Sequence, residues 1–241
     1  MQEVTPDVEL VDFSGLSVER VTTLVNQNIK KVYYGYRRCY SGELEELISR
    51  SVSLDEMIRF IKKMRKTPHE SPLEHVSMTF HIYNVSRALT HQLVRHRLAS
   101  YSQVSQRYTK PDNLTVITPD SIRFNSDPHC YETYERVMNQ IETAYQYFLT
   151  CGIKPEDARS ILPNATATAI VMTMNFRELL HFFSERCCLR AQEEIRVIAT
   201  KMLTMCKEYY PCIFENAGPK CLVLHRCPEH KPCDSKPFKQ N

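Results

Sequence analysis

Residues 95–108 combine the types of side chain that bind anions. The segment reads RHRLASYSQVSQRY and contains three arginines, one histidine and three serines. Arginine presents a planar fork of N–H donors that suits phosphate and carboxylate groups, and Ser and Gln side chains can complete the shell without adding an opposing charge. The segment therefore predicts a surface that binds anions.

The glycine content limits how such an anion could be held. The chain has five glycines, at positions 15, 35, 42, 152 and 218, so neither a P-loop nor a GxGxxG turn can be written. Phosphates must then be bound by arginine side chains or helix N-termini. The formal net charge of +3 is too small to predict a nucleic-acid binder, which leaves small anions as the expected partners.

Bulk features predict a cytoplasmic protein. The opening segment MQEVTPDVELVDF lacks the basic and apolar regions of a signal peptide, and no run of eighteen apolar residues could span a bilayer. Most of the ten cysteines are expected to be reduced thiols, and a packing role is expected for Cys151, Cys187, Cys188 and Cys206. We predict one catalytic domain over residues 1–215 and a Cys- and His-containing tail over residues 216–241.

Hydrophobic periodicity predicts the elements that position the arginine-rich segment. A capping box at residues 53–56 begins a helix that reaches about residue 66, and apolar residues alternate with polar ones over residues 76–82 as in a strand. A helix over residues 86–97 should then carry Gln92 and Arg95 on one face.

The second half of the chain is predicted to be mainly helical. Asp127 and Pro128 begin a long helix that Gly152 ends, and Asn175 is expected to cap another helix. Further predicted elements are a short helix at residues 155–162, a strand at 166–174 and helices at 175–189 and 191–210. The sum predicts an α+β fold with a small sheet flanked by several helices.

Several segments in order resemble the flavin-dependent thymidylate synthases. The most specific is the signature Arg-His-Arg, seven residues, Ser, which begins at Arg95 and continues as Ser-x-Arg-Tyr. The others are RCYS at 38–41, SPLEH at 71–75, DARSILP at 157–163, NFREL at 175–179, RAQEEIR at 190–196 and AGPKC at 217–221.

This resemblance implies a mostly antiparallel sheet and a homotetramer with sites between subunits. It also implies FAD as cofactor, with NADPH and 5,10-methylenetetrahydrofolate as co-substrates for the reductive methylation of dUMP to dTMP. Neither a nucleic acid nor a membrane is implied as a partner.

The resemblance assigns the residues that contact dUMP. They are Gln92, Arg95, Gln103, Ser105, Arg107, Arg159 and Arg186. Arg186 is the main catalytic candidate, because a cation beside the N3/O2 edge of uracil increases electron density at C5, which accepts the one-carbon unit. Ser105 is assigned to binding, since the sequence shows no base that would activate it as a nucleophile.

The resemblance likewise assigns the contacts of FAD. They are His75, Ser77, Arg95, His96, Arg97, Gln103, Asn175, Arg177 and His181. Cations in this set could hold the pyrophosphate and stabilise the charge of the reduced flavin. Gln103 departs from the family pattern, because many members carry glutamate there, so one alternative is a chain that binds FAD without turning over.

Two further alternatives concern other classes of protein. The basic cluster with Tyr101 and Tyr108 could form a stacking groove for nucleic acid. The tail could form a zinc-stabilised scaffold, since it contains Cys212, Cys221, His225, Cys227, His230 and Cys233. Its cysteines 221, 227 and 233 are six apart, whereas zinc ligands usually come in pairs two to four apart, so we predict no metal site.

Overall fold

The computed structural model describes residues 1–41, 51–109 and 113–233. Its main sheet is small and antiparallel, with the strand order β2-β3-β6-β4, and β1 pairs in parallel with β5 so that Gln2 lies opposite Thr115. The strands are β1 (Gln2–Glu3), β2 (Asp7–Leu10), β3 (Ser77–Ser86), β4 (Ala99–Gln103), β5 (Thr115–Val116) and β6 (Ala167–Asn175). The predicted α+β class is confirmed.

Ten α-helices account for nearly half of the described residues. They are α1 (Val18–Arg38), α2 (Leu54–Met64), α3 (Arg87–Leu93), α4 (Asp120–Arg123), α5 (Pro128–Thr150), α6 (Pro155–Ala158), α7 (Phe176–Arg186), α8 (Glu193–Tyr209), α9 (Pro211–Phe214) and α10 (Lys220–Leu224). Short 3-10 helices lie at Val11–Phe13, Ser71–His75 and Arg159–Ile161. None of the helices in the described segments is long and apolar enough to cross a membrane.

The predicted caps are confirmed by their hydrogen bonds. Ser53 and Glu56 form the reciprocal capping box of α2, and the Asp127 side chain accepts from the His129 amide at the start of α5. The Asn175 side chain accepts from the amide of Glu178, 2.8 Å away, and so begins α7. Each cap satisfies an amide that the helix itself leaves without a partner.

The helix predicted over residues 86–97 is wrong at its end. It stops at Leu93, and the Tyr101 hydroxyl donates to the Leu93 carbonyl oxygen at 2.8 Å. Strand β4 begins at Ala99, so the chain must leave the helix earlier to enter the sheet. Arg95, His96 and Arg97 therefore lie in the connection between α3 and β4, and Gln92 and Arg95 do not share a helix face.

Helix α1 is an element that the predictions from the sequence omitted. The Ser17 side chain caps it by accepting from the Arg20 amide, and its buried residues are Ile29, Val32, Tyr33 and Tyr36. These four lie in the second half of the helix, and its first turns are mostly exposed although they are partly apolar. Apolar residues recur every three or four positions from Val18 to Tyr36, so a helical signal was present.

The chain forms two compact units. The first comprises residues 1–8, 81–95 and 101–172, and the second comprises the described parts of residues 9–80, 96–100 and 173–241. Leu114, Val116 and Met138 form a buried cluster in the first unit. Aromatic rings pack in the second, where Phe176 lies 4.7 Å from Tyr210 and 5.2 Å from Phe214, centroid to centroid. Burying one such ring contributes about 1.5–3 kcal/mol. The predicted boundary at residue 215 stays a prediction.

Candidate active site

Three side chains of the second unit are joined by hydrogen bonds. The Nε of Arg186 lies 3.1 Å from Nε2 of His96, and Nδ1 of His96 lies 3.2 Å from Oε1 of Glu178. Arginine can only donate, so Nε2 of His96 accepts, and Nδ1 carries the proton that it donates to Glu178. The side chains of His96 and Glu178 are only 5% and 8% exposed, so this tautomer is held away from water.

Helix α7 positions the members of this chain. Glu178, Phe182 and Arg186 are four residues apart, so they lie along one side of the helix. The Phe182 ring packs edge-on against the His96 ring with centroids 5.1 Å apart. The Asn175 cap fixes the first turn of α7, where Glu178 lies. The cap and the ring contact together fix the direction in which Arg186 leaves the helix.

The electrostatics of the site leave His96 neutral at pH 7. Burial lowers the pKa of His96, and the nearby Arg186 and His181 lower it further, although the hydrogen bond and the charge of Glu178 act in the opposite direction. A neutral imidazole is required to accept from Arg186. Among these three side chains Arg186 therefore carries the positive charge, and the Glu178 carboxylate lies on the opposite side of the imidazole ring.

We expect acid to weaken this arrangement in a defined pH window. Because the pKa of folded His96 lies below 6.5, the unfolded chain binds more protons between that folded pKa and about 6.5. The contribution of His96 to stability is therefore complete above about pH 6.5 and is lost as the pH falls toward the folded pKa.

Thermal unfolding between pH 7.5 and 5.0 should show a steeper loss of stability in acid for wild type than for His96→Asn. The variant His91→Asn, which changes an exposed histidine of α3, should behave as wild type. Parallel curves for wild type and His96→Asn would contradict the prediction.

A groove of about 1270 Å³ lies in the second unit beside α7. Its lining includes Leu98, Asn175, Arg177, Glu178, His181 and Ser184. Three of the predicted FAD contacts, Asn175, Arg177 and His181, thus share one groove, and the rings of His181 and His96 are 5.6 Å apart. The structure does not place His75, Ser77 or Arg97 in this lining, although all three are exposed.

Arg177 already has carboxylate partners in the groove. Its Nη1 forms an ion pair with Glu74, and its Nε lies 4.0 Å from Glu70. An anionic ligand would therefore have to compete with Glu74 for this guanidinium. Exposed pairs of this kind contribute only about 0–1 kcal/mol, so the exchange is a small cost.

The same region offers three atoms that could ligate a metal. One atom from each of His96, Glu178 and His181 lies within 4.8 Å of the others. Arg186 donates to His96 Nε2, however, and its guanidinium would repel a cation at this distance. The trio is therefore better suited to an organic cofactor than to a metal.

The first unit contains a second cationic group, formed by Arg87 and Arg159. Burial lowers the pKa of Arg87, and the neighbouring Arg159 lowers it further. Nη1 of Arg87 is buried and has no hydrogen-bond partner within the described part of the chain. Two adjacent guanidiniums with an unsatisfied buried N–H are suited to an anion such as phosphate.

Arg87 is a functional candidate that the sequence reasoning missed, as is Glu178. Arg87 is the first residue of α3, where the positive end of the helix dipole disfavours a cation, and this misplaced charge could have identified it. Glu178 lies in an apolar stretch of α7, and a carboxylate there needs a partner when buried. Neither signal identifies the residue or ligand with which the charged side chain pairs.

Most of the remaining predicted dUMP contacts of the first unit already form hydrogen bonds or ion pairs within the protein. Arg107 forms an ion pair with Glu156 at 2.9 Å, and the Ser105 hydroxyl accepts from the Arg107 amide at 3.3 Å. Arg159 donates from Nε to the Glu156 carbonyl oxygen. Gln92 is half-buried and donates to the Ala88 carbonyl oxygen, whereas Arg95 is exposed.

Gln103 is held by two threonines of the first unit. Its Nε2 donates to Thr90 Oγ1 at 3.1 Å and to Thr168 Oγ1 at 3.4 Å, and the Thr90 hydroxyl in turn donates to the Arg87 carbonyl oxygen. An amide supplies the two donors that this arrangement uses, and a carboxylate does not. The structure thus gives the glutamine a local role, and its predicted ligand contacts stay predictions.

Gln103→Glu is expected to destabilise the protein by about 1–2 kcal/mol, because the carboxylate would face two hydroxyl oxygens, one of which already uses its proton elsewhere. Chemical denaturation measures the change. Gln106→Glu, at a half-buried glutamine three residues later and beyond the end of β4, is the matched control for the added charge. Equal stabilities for wild type and Gln103→Glu would show that the amide donors contribute nothing.

Comparisons with known proteins agree with one another. A family model described as thymidylate synthase complementing protein matches residues 20–212. The flavin-dependent thymidylate synthase of Nitratidesulfovibrio vulgaris is 42% identical over 225 residues, which cover 87% of this chain and 91% of that protein. The flavin-dependent thymidylate synthase of Geobacter sulfurreducens is 44% identical over 195 residues, which cover 80% and 83%.

A solved structure shares the fold. It is the UMP/dUMP methylase PolB from Streptomyces cacaoi bound with 5-Br dUMP. The likeness has a TM-score of 0.73 at 24% sequence identity, and it covers 89% of this chain and 96% of that chain.

Proposed function

This chain belongs to the family of flavin-dependent thymidylate synthases, and from that premise we propose that it converts dUMP to dTMP by reductive methylation. The proposed cofactor is FAD, the proposed reductant is NADPH, and the proposed one-carbon donor is 5,10-methylenetetrahydrofolate. When bound, the flavin supplies the hydride. The protein is further proposed to be a cytoplasmic homotetramer in which side chains of different subunits meet at one nucleotide.

The observation that carries the proposal is the fixed guanidinium of Arg186. Its hydrogen bond to neutral His96 holds the Nε–H and so fixes the position of the guanidinium. A cation placed against the N3/O2 edge of uracil stabilises negative charge on the ring and so raises the nucleophilicity of C5. Since the guanidinium is held before the substrate arrives, little reorganisation is needed.

The groove beside α7 is proposed to bind the flavin. It is large enough for a nucleotide cofactor, since ligand pockets usually measure about 300–1,000 Å³. Asn175 and His181 offer polar contacts along its wall, and Leu98 offers an apolar one. The neighbouring His96 and Arg186 would stabilise the electron density that a flavin gains on reduction.

The phosphate of dUMP is proposed to bind at Arg87 and Arg159. Ser105 and Arg107 lie at the end of the signature segment and are proposed dUMP contacts as well. An anion there would satisfy Nη1 of Arg87 and offset the repulsion between the two guanidiniums. Charge-assisted hydrogen bonds of this kind contribute about 1.5–3 kcal/mol each.

Arg87→Gln is therefore expected to raise the KM for dUMP by about 10- to 100-fold with a smaller change in kcat, because the phosphate is held alike in the ground and transition states. Steady-state kinetics with varied dUMP measure the effect. Arg136→Gln, which removes an exposed arginine of α5, should leave the KM unchanged. A large fall in kcat at unchanged KM would assign Arg87 a different role.

The proposed function is tested by product formation. Purified protein supplied with FAD, NADPH, methylenetetrahydrofolate and dUMP should yield dTMP, and omission of any one component should abolish the product. Anaerobic spectra supply a second readout, since NADPH should bleach the flavin bands faster when dUMP is present. Protein that takes up no FAD would refute the proposed chemistry.

A further inference from the structure

The tail forms one wall of the groove beside α7. Leu222, Val223 and His225 line this groove together with residues of α7, and the first two belong to α10. The family model ends at residue 212, so the wall lies outside the part of the chain that the model matches. None of the FAD contacts that the resemblance assigns lies in the tail. The role of this wall therefore has to be inferred from its own chemistry.

The wall is apolar and partly open to solvent. Leu222 and Val223 are 37% and 51% exposed, and Leu98, which lines the same groove, is 69% exposed. Single exposed apolar side chains are common, whereas several that line one concave surface are typical of a ligand site. We therefore expect an occupant with an apolar surface against this wall. Among the proposed ligands of the chain, the flavin is the one assigned to this groove.

Two polar anchors hold the tail against the end of α7. Lys220, the first residue of α10, forms an ion pair with Glu185 in the last turn of α7. Farther along the tail, the Lys231 carbonyl oxygen accepts from Nη1 of Arg190 at 2.5 Å. Between the anchors, Cys188 shares a cavity of about 480 Å³ with cysteines of the tail. The anchors lie on both sides of the wall residues along the chain, so they fix the wall in its place.

The backbone of α10 begins and ends beside the groove. The Leu222 and Val223 amides donate to the Pro219 carbonyl oxygen at 2.8 and 3.3 Å and so begin the helix. His225, the residue after the helix, has a φ of 51°, in the left-handed region that a residue with a Cβ seldom adopts. Strain of this kind persists where surrounding contacts hold it, and it is frequent at ligand sites. The strained turn leaves His225 on the same groove as the two apolar residues.

We propose that Leu222 and Val223 pack against the flavin ring, so that the tail is part of the cofactor site. The contact rests on the proposed function, which assigns the flavin to the groove beside α7. The flavin ring is planar, with apolar faces and polar edges, so aliphatic side chains can cover a face while Asn175 and His181 remain available to an edge. Covering Leu222 and Val223 removes their apolar surface from water and so favours the bound state.

The first test compares the affinity of full-length variants for FAD by titration of flavin fluorescence. Leu222→Ser and Val223→Ser should each raise the Kd by about 3- to 10-fold, because each removes apolar surface that the flavin would cover. Leu224→Ser is the matched control, since Leu224 belongs to the same helix and is 49% exposed but does not line the groove. The control should bind FAD as wild type does. Wild-type affinity in both wall variants, or an equal loss in Leu224→Ser, would overturn the proposal.

A second measurement on wild-type protein covers the case in which a wall variant fails to fold. Hydrogen exchange at the backbone amides of residues 220–225 should slow when FAD binds, because the tail then opens less often. ADP, which shares the adenine nucleotide of FAD but lacks the flavin ring, should not slow it. Equal protection by ADP would assign the wall to the nucleotide half of FAD and overturn the proposal.

Loss of the tail contact and loss of the proposed function are distinguishable, because both readouts measure binding and neither depends on turnover. Wild-type protein that takes up no FAD would refute the proposed function and the tail contact together. FAD that binds tightly without protecting residues 220–225 would refute the tail contact and leave the proposed function intact.

Discussion

Arg186→Ala is expected to lower the rate of dTMP formation by about 10²–10³-fold while the protein keeps its flavin, since removal of one preorganised donor to a developing charge has a cost of this size. Arg186 donates to His96 and is fixed by it, so the variant loses a positive charge at a defined place and not only a surface group. Single-turnover formation of dTMP measures the chemical step directly, and the visible spectrum of the same sample measures bound flavin.

Two further variants separate charge from geometry at this position. Arg186→Lys keeps the charge but replaces the planar fork with a single ammonium group, so it should recover only part of the rate. Arg20→Ala removes an exposed arginine from the first turn of α1 and should leave the rate unchanged. Near-normal turnover by Arg186→Ala would exclude Arg186 from the proposed chemistry, and loss of flavin would assign it to cofactor binding.

The second large effect is expected at Glu178, which we assign as a positioning residue. Glu178→Ala removes the acceptor that Nδ1–H of buried His96 uses, and the loss of such a buried hydrogen bond has a cost of about 1–3 kcal/mol in stability. The tautomer of the imidazole is then no longer set by Glu178, which weakens the acceptor that holds Arg186. A displacement of about 1 Å can lower a rate by about 10²-fold, so kcat should fall by this order although Glu178 need not touch the substrate.

A merely structural role for Glu178 would not change the pH dependence of turnover. The Glu178 carboxylate raises the pKa of His96, so Glu178→Gln, which keeps an acceptor oxygen, should recover much of kcat but lower that pKa further. The acid limb of kcat, which follows protonation of His96, should therefore move to lower pH in Glu178→Gln. An unchanged acid limb would show that His96 does not couple Glu178 to Arg186. Glu208→Ala, at an exposed position of α8, is the control for loss of a carboxylate.

Much of the local structure could be predicted from the sequence because its signals are local. Ser53 with Glu56, Asp127 with Pro128, and Asn175 each supply the acceptor for an amide a few residues away, so the starts of α2, α5 and α7 needed no tertiary information. The alternation over residues 76–82 similarly predicted β3. Helix α3 was predicted too long, because its end is set by strand β4 and by the Tyr101 hydroxyl, which bonds Leu93 across eight residues.

The candidate site likewise has features that could be predicted from the sequence and features that could not. Residue types and order along the chain were enough to predict the family, which the comparisons confirm, and to nominate Arg186 and His96. Tertiary structure alone decided four other features of the molecule. Arg186 donates to His96, Glu178 fixes the tautomer of His96, Arg87 lies beside Arg159, and Cys188 shares a cavity with the tail cysteines. The physical reason is distance along the chain. A cap or an alternation is satisfied within a turn or a strand, whereas these partners are tens of residues apart and meet only after the helices and strands have packed.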